Sequence, residues 1–433
     1  MIVETARLRT DTATIQDAAL RAVEPAALVK ARLSVENGDL RLDGRPFDPP
    51  LDLDAVGRIV VVGGGKAAAG MAAGVESLLG AERLVRHAVT GPVSVPEGCG
   101  RQLAAVETRS TRPAGINLPT PAVVAATREM LGLVAGLGPR DLAVVVITGG
   151  GSALLAAPRE GVSLNDKISL TQRLSAGGAD IATLNAARRH LSAVKGGGLA
   201  RACTAGRLVA LVLSDVIGDD LDVIASGPCM PPAPTVPAGA WTTPAGCVVR
   251  HVVVGSNATA VDAAARAARA LGYEVVVRHA TPGADTEAGA DAVGRRLAVA
   301  GLDLLATARA DGRPRAIVEG GESTVVVPAD HGTGGRNQQT VIAALETLLS
   351  RGGWPQGLLV GSVGTDGEDG PTTAAGGIAD AGVAAAIAAA GLDVTRARLH
   401  RDAYPLLSAA GGLVVTGPTG TNVCDLRLIL ARP

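Results

Sequence analysis

"RIVVVGGGKAAAGMAAGVESLL", residues 58–79, begins with four consecutive Ile and Val residues, narrows to three glycines and continues in alanine-rich sequence. A short apolar run rich in β-branched residues is what a strand buried on both faces looks like. The alanines beyond the glycines suit a helix. The pattern recurs in "LAVVVITGGGSALLAAP" (142–158), "RLVALVLSDVIGDDLDVIASGP" (207–228) and "HVVVGSNATAVDAAARAARALGYEVVV" (251–277). Strands that alternate with helices predict an α/β fold with largely parallel sheets. Ahead of them, Ile15, Ala18, Ala19, Ala22 and Val23 lie at helical spacing within 12–35. No internal repeat stands out, because parallel sheets generate this recurrence anyway.

At 433 residues the chain predicts two domains. The segment "GPCMPPAPTVPAGAWTTPAG" (227–246) holds six prolines and no periodicity, so the division is placed near residue 240: an N-terminal domain 1–240 and a smaller C-terminal domain 241–433. Apolar residues make up 47% of the chain, enough for a large core, yet Phe, Trp and Tyr together are five. That scarcity argues against a base-stacking nucleic-acid platform. A net charge of −1 supplies no global field toward nucleic acid or an anionic membrane, so any anion must be held by local chemistry. The five cysteines show no CxxC spacing, which argues against a disulfide framework or a zinc site. With no signal-like start and no long apolar run, a cytoplasmic protein is expected. Homo-oligomerisation is left open.

The chemistry is expected on small-residue loops at strand ends. Gly63, Gly65 and Ala68 satisfy a relaxed GxGxxG/A, but the next strand, expected near "RLVRHAVTG", ends without the acid that would hold a ribose. A P-loop fails as well, because Ala67 stands where Ser or Thr would bind magnesium. What remains is Lys66 beside a helix N-terminus, where open α/β sheets bind ligands and amides attract anions. Gly150, Gly151 and Ser152 repeat the geometry: a capping serine, or an anion cradle that needs close backbone approach. "NAARRHLSAVKGGGLA" (185–200) carries Arg188, Arg189, His190 and Lys195 near a helix end. "SDVIGDDLDVIASGP" (214–228) offers Asp215 directly after a strand as a magnesium ligand, and "GTDGEDGPTTAAGG" (364–377) offers Asp366. "AIVEGGESTVVV" (316–327) reads as a strand, and "HGTGGRNQQ" (331–339) after it strips a loop of side chains before placing Arg336. Loops this small with two well-placed cations, Lys66 and Arg336, suit phosphoryl transfer.

In this order the motifs resemble the glycerate 2-kinase family, whose C-terminal module is called MOFRL and whose members are often labelled hydroxypyruvate reductase. Seven motifs carry the resemblance over about residues 12–430. It implies ATP- and magnesium-dependent phosphorylation of D-glycerate at its 2-hydroxyl, in a site between a Rossmann-like domain and the MOFRL domain. It also places the family's key lysine on Lys66 and its key arginine on Arg336. Candidate substrate- or nucleotide-binding positions on these motifs are Gly64, Gly65, Gly150, Gly151, Ser152, Arg188, Lys195, Ser256, Asn257, Glu322, Gly334, Gly335, Asn337, Thr365, Asp366, Thr419 and Asn422. The chain departs from the family at Arg112 (usually His), Gly198 (Arg), Gln339 (acidic) and Cys424 (Asn). Those departures leave open a kinase of another small hydroxy acid, and the family's label leaves open an NAD(P)H-dependent reductase. Alanine at Lys66 or Arg336 is expected to stop turnover without unfolding, on the view that a long cation on a glycine loop packs little.

Overall fold

The computed structural model describes residues 2–113, 116, 118–176, 181–231 and 240–433. The chain divides into a continuous unit, Glu24–Ser256, and a two-segment unit, Met1–Val23 with Asn257–Pro433.

In the continuous unit the first strands, β1 (Leu33–Glu36), β2 (Asp39–Leu42) and β3 (Arg45–Asp52), form an antiparallel meander. The main sheet is built from β4 (Ile59–Gly64), β5 (Pro92–Pro96), β6 (Glu107–Arg112), β7 (Leu142–Ile147), β8 (Arg207–Leu213), β9 (Ala240–Thr242) and β10 (Val248–Gly255), in the order β6-β5-β4-β7-β8-β10-β9. All neighbours are parallel except β9, which runs antiparallel along β10 at the edge. Every residue of β4 and β7 is buried, as the apolar runs require. Ranked along the chain, the six parallel strands stand 3-2-1-4-5-6, the doubly wound order, and the chain reverses direction across the sheet between β4 and β7.

Three expectations change here. The strand after β4 lies at 92–96, beyond "RLVRHAVTG", and the exposed Glu97 follows its end. Within the proline-rich stretch, 232–239 lie outside the described residues, but β9 follows, and the Trp241 indole donates to the Cys229 carbonyl at 3.1 Å. Strand β10 then completes the main sheet, so the units part at 256/257 rather than near 240.

The two-segment unit holds β11 (Glu274–Arg278), β12 (Arg315–Gly321), β13 (Leu358–Gly364), β14 (Gly376–Ala379), β15 (Leu413–Val414) and β16 (Asp425–Ala431), in the order β11-β12-β16-β13-β14-β15. Only β11 and β12 are parallel; the remaining pairs are antiparallel. This sheet therefore departs from the parallel expectation. Its cause is β16, which enters between β12 and β13 and runs against both. The segment "AIVEGGESTVVV" is a strand only as far as Gly321. The Ile2–Ala22 helix belongs to this unit, tied by Arg9 to the buried Asp380 and by Arg432 to Glu4. Among the described residues no helix is long and apolar enough to cross a membrane.

Candidate functional site

In the continuous unit two glycine loops leave the sheet side by side, after β4 and after β7, at the reversal of strand order. Their backbones interlock. Lys66 N–H donates to the Gly149 carbonyl at 2.9 Å, Ala67 N–H to Thr148 Oγ1 at 3.1 Å, and Gly65 N–H to the Ser94 carbonyl at 3.1 Å. A β-carbon on Gly65 would stand 2.0 Å from Thr148 Oγ1, so only glycine lets the loops close. The amides at 65, 66 and 67 thus serve the fold. Gly150 forms the left-handed vertex of the second loop, and a β-carbon there would lie 3.9 Å from both Lys66 Cγ and an Arg112 guanidinium nitrogen. Arg112, buried at the end of β6, so joins Lys66 beside this turn.

Behind Ser152 lies a cavity of about 80 Å³. Lys195 is fully buried; its Nζ sits 2.8 Å from the Ser152 carbonyl, 2.9 Å from Ser152 Oγ and 3.2 Å from the Ala225 carbonyl. Ser152 Oγ in turn lies 3.2 Å from Ser226 Oγ, which donates to Asn185 Oδ1 at 3.1 Å. Burial, then the neighbouring Lys167 and Arg188, push the Lys195 ammonium well below the usual lysine range. Arg188 also lines the cavity, its guanidinium lowered by burial. Lys167 completes the cationic set, on the Leu164–Ala176 helix. The sequence reading passed it over, although a signal was there: the chain has four lysines (Lys30, Lys66, Lys167 and Lys195) against thirty-six arginines. Three of the four stand at these loops or this cavity.

In the two-segment unit Arg336 opens the Arg336–Leu349 helix beside a pocket of about 410 Å³. Its Nε and Nη2 donate to Asp425 (2.9–3.1 Å) and its Nη1 to Glu322 (3.0 Å). Burial opposes its charge, but Asp425 and Glu322 outweigh burial and hold the guanidinium above its ordinary range. Glu322 is itself raised by burial. The expectation that Arg336 packs little therefore fails, because it neutralises a fully buried carboxylate. The bonds to Asp425 and Glu322 engage three of its five N–H groups. The glycines before it have a structural cause as well. A β-carbon on Gly335 would stand 2.3 Å from the Asp369 backbone, and Asp369 accepts the N–H groups of Asn337 (2.9 Å) and Gln338 (2.8 Å). Asp369 caps the helix from another loop, and burial raises its carboxyl to about 6. Two first-turn amides of this helix, at Asn337 and Gln338, are therefore taken by the Asp369 carboxylate.

The other candidates divide. Gly334, Gly335, Asp366 and Arg336 line the 410 Å³ pocket together, with Glu368 and Gln339. Asn337 bonds Asp425 (3.0 Å) and takes the Ser362 hydroxyl (2.6 Å). Thr365, Thr419 and Asn422 stitch the 416–424 loop to the end of β13: Thr365 Oγ1 donates to the Cys424 carbonyl, Thr419 Oγ1 to the Thr365 carbonyl, and Asn422 accepts the Cys424 N–H. Asn257 holds the carbonyls of Val423 and Asp425, and buried Ser256 precedes it at the unit boundary. Gly64, Gly65, Gly150, Gly151, Ser152, Arg188 and Lys195 belong with Lys66 in the continuous unit. Asp215 is half-buried two residues beyond β8, while Asp220 and Asp222 form a turn with Asp222 near Arg189. Two departures acquire physical content. A β-carbon on Gly198 would stand 2.1 Å from the Ala193 carbonyl, and Gln339 donates to Asp291 and to the Arg398 carbonyl.

Comparison with known proteins matches residues 11–261 to a family described as a domain of unknown function (DUF4147), and residues 315–425 to the MOFRL family. A glycerate kinase of Bos taurus is 35% identical over 95% of this chain and 91% of its own. A D-glycerate 2-kinase of Thermotoga maritima is 36% identical over 87% and 91%. A crystal structure of a glycerate kinase from Thermotoga maritima superposes with a TM-score of 0.78 at 31% identity, covering 98% of this chain and all of that one.

Proposed function

The chain belongs to the glycerate kinase family of DUF4147 and MOFRL modules, and from that premise we propose that it transfers the γ-phosphoryl group of ATP to the 2-hydroxyl of D-glycerate, giving 2-phosphoglycerate and ADP. The observation that carries the reading is the placement of Lys66 and Arg112 beside the Gly150 turn, where a doubly wound sheet binds its ligand.

In the proposed reaction the glycerate oxygen attacks the γ-phosphorus in line, and the bond to the β,γ-bridging oxygen breaks with its electron pair. The hydroxyl proton passes to solvent as the new P–O bond forms. Such a transition state asks the protein for position and positive charge more than for covalent chemistry. Lys66 supplies a point charge at the phosphoryl group, and Arg336 supplies a guanidinium at its own pocket. Arg188, Lys195 and Ser152 hold the acid. Magnesium, when bound with the nucleotide, would neutralise phosphate charge. Among the described residues no group of three or more His, Cys, Asp or Glu converges as an all-protein metal cage. Magnesium needs only one or two carboxylates beside phosphate oxygens and water, so Asp366 and Glu368 in the Arg336 pocket fit it, with Asp215 the candidate in the other unit. A cytoplasmic setting belongs to the proposal, since all five cysteines are free thiols.

The test is phosphorus NMR of ATP with a panel of small hydroxy acids. A 2-phosphoglycerate signal from D-glycerate is expected, and turnover on no hydroxy acid would overturn the reading. One observation favours a second reading, a hydroxypyruvate reductase. The 3-2-1-4-5-6 order with Glu97 just beyond β5 is how dinucleotide folds hold a ribose. NADH absorbance that stays flat with hydroxypyruvate, without any coupling enzyme, is the outcome expected.

A further inference from the structure

Lys167 is 4% exposed, and its Nζ is buried without a hydrogen-bond partner. It lines the 80 Å³ cavity with Arg188 and Lys195, and none of the described lining residues is acidic. Three cations around one small void are costly to keep without a counter-charge. We propose that this cavity is the seat of the substrate's carboxylate, with Lys167 as its principal charge partner. The inference rests on the kinase reading for the reaction, but not for the binding.

The lining suits a carboxylate. At about 10–15 Å³ of cavity space per water the cavity holds several waters, room for a three-carbon acid. Leu118, Pro119 and Ile168 add apolar surface to the lining. Arg188 supplies a planar fork that matches a carboxylate, and Lys167 a compact charge. Lys195, held by two carbonyls, fixes Ser152 at the rim. Burial and then Arg188 pull the Lys167 ammonium down to about 8, as a site awaiting an anion should.

Lysine-selective labelling reads this directly, because four lysines give four Cε–Nζ signals, and Lys167→Arg identifies one by its loss. Without nucleotide, D-glycerate should move the Lys167 signal and raise its titration midpoint, while glycerol should not. In kinetics Lys167→Met should raise KM for D-glycerate about 10- to 100-fold, the worth of a hydrogen bond to a charged group. KM for ATP should stay within about twofold, and Lys167→Arg should recover part of the loss. An unmoved Lys167 signal at saturating D-glycerate overturns the proposal. So does a signal that inorganic phosphate or ATP moves as glycerate does. Should Lys167→Met fail to fold, the wild-type titration decides alone. A responding Lys167 with no phosphoryl transfer would sink the kinase reading and leave the cavity assignment standing. Turnover with an unresponsive Lys167 would do the reverse.

Discussion

Replacing Lys167 by methionine should make the ligand-free protein more stable. Methionine has nearly the same length and no charge, so it fills the same space without the burial penalty. A lysine that titrates at about 8 when folded and near the ordinary 10.5 when unfolded carries a penalty of about 3 kcal/mol. The sign follows from proton binding. Between pH 8 and 10.5 the unfolded chain holds the proton that the folded chain has released, so wild-type stability rises with pH across that window. Below about pH 8 both states are protonated and the penalty is complete. Denaturant unfolding of Lys167→Met against wild type at pH 7 should therefore show a gain of up to about 3 kcal/mol. For a unit of this size that is roughly 6–12 °C in melting temperature. The gain should shrink toward zero by pH 10.5. D-glycerate should narrow it at pH 7, because the acid stabilises only the protein that binds it. A wild-type stability that is flat from pH 8 to 10.5, with no advantage for methionine, would refute the reasoning.

Lys66→Ala should lower kcat at least about 100-fold, the usual effect of losing one transition-state charge, with an unchanged melting curve. Wild-type-like turnover would remove Lys66 from the chemistry. Arg336→Ala should cost activity and about 3–5 kcal/mol of stability, since Asp425 stays buried without its cation; a melting curve like wild type would contradict the ion-pair geometry. Asp369→Ala should destabilise by about 2–3 kcal/mol by uncapping the Asn337 and Gln338 amides, measured by denaturant unfolding. Gly198→Arg, which restores the family's usual residue, should destabilise by more than about 2 kcal/mol without raising kcat. Faster turnover would show that the loop at Ala193 yields.

Much of the continuous unit was legible because strands buried on both faces announce themselves as unbroken Val and Ile runs. β4, β7 and β8 all lie where those runs stand. The mixed sheet of the other unit was not legible. Pairing direction is set by where β16 inserts, and an apolar strand reads the same whichever way it runs. The meander at 33–52 went unseen because β3 alternates buried residues with prolines and acids. Within the site, position along a strand end located Lys66 and Ser152. It could not tell a glycine kept for an anion from one kept for a neighbouring backbone, as at Gly335 against Asp369. Lys167 sits in the first turn of its helix beside Asn165 and Asp166, where spacing gives no hint of a cavity.

The discontinuity of the two-segment unit bears on how the protein is made. Its first helix, Ile2–Ala22, leaves the ribosome before any of the continuous unit, and β16, a central strand of its sheet, emerges after every other strand of that sheet. At synthesis rates of about 5–20 residues per second, Glu24–Ser256 has many seconds to assemble its parallel sheet while the rest is still being translated. Through that interval β12 and β13 carry unpaired edges on the sides β16 will occupy, and such edges invite strand exchange with other chains. A nascent chain stalled before residue 425 should hold a protease-resistant core within 24–256 and a digestible remainder. Frameshifts late in the reading frame would then yield aggregates rather than a shortened enzyme.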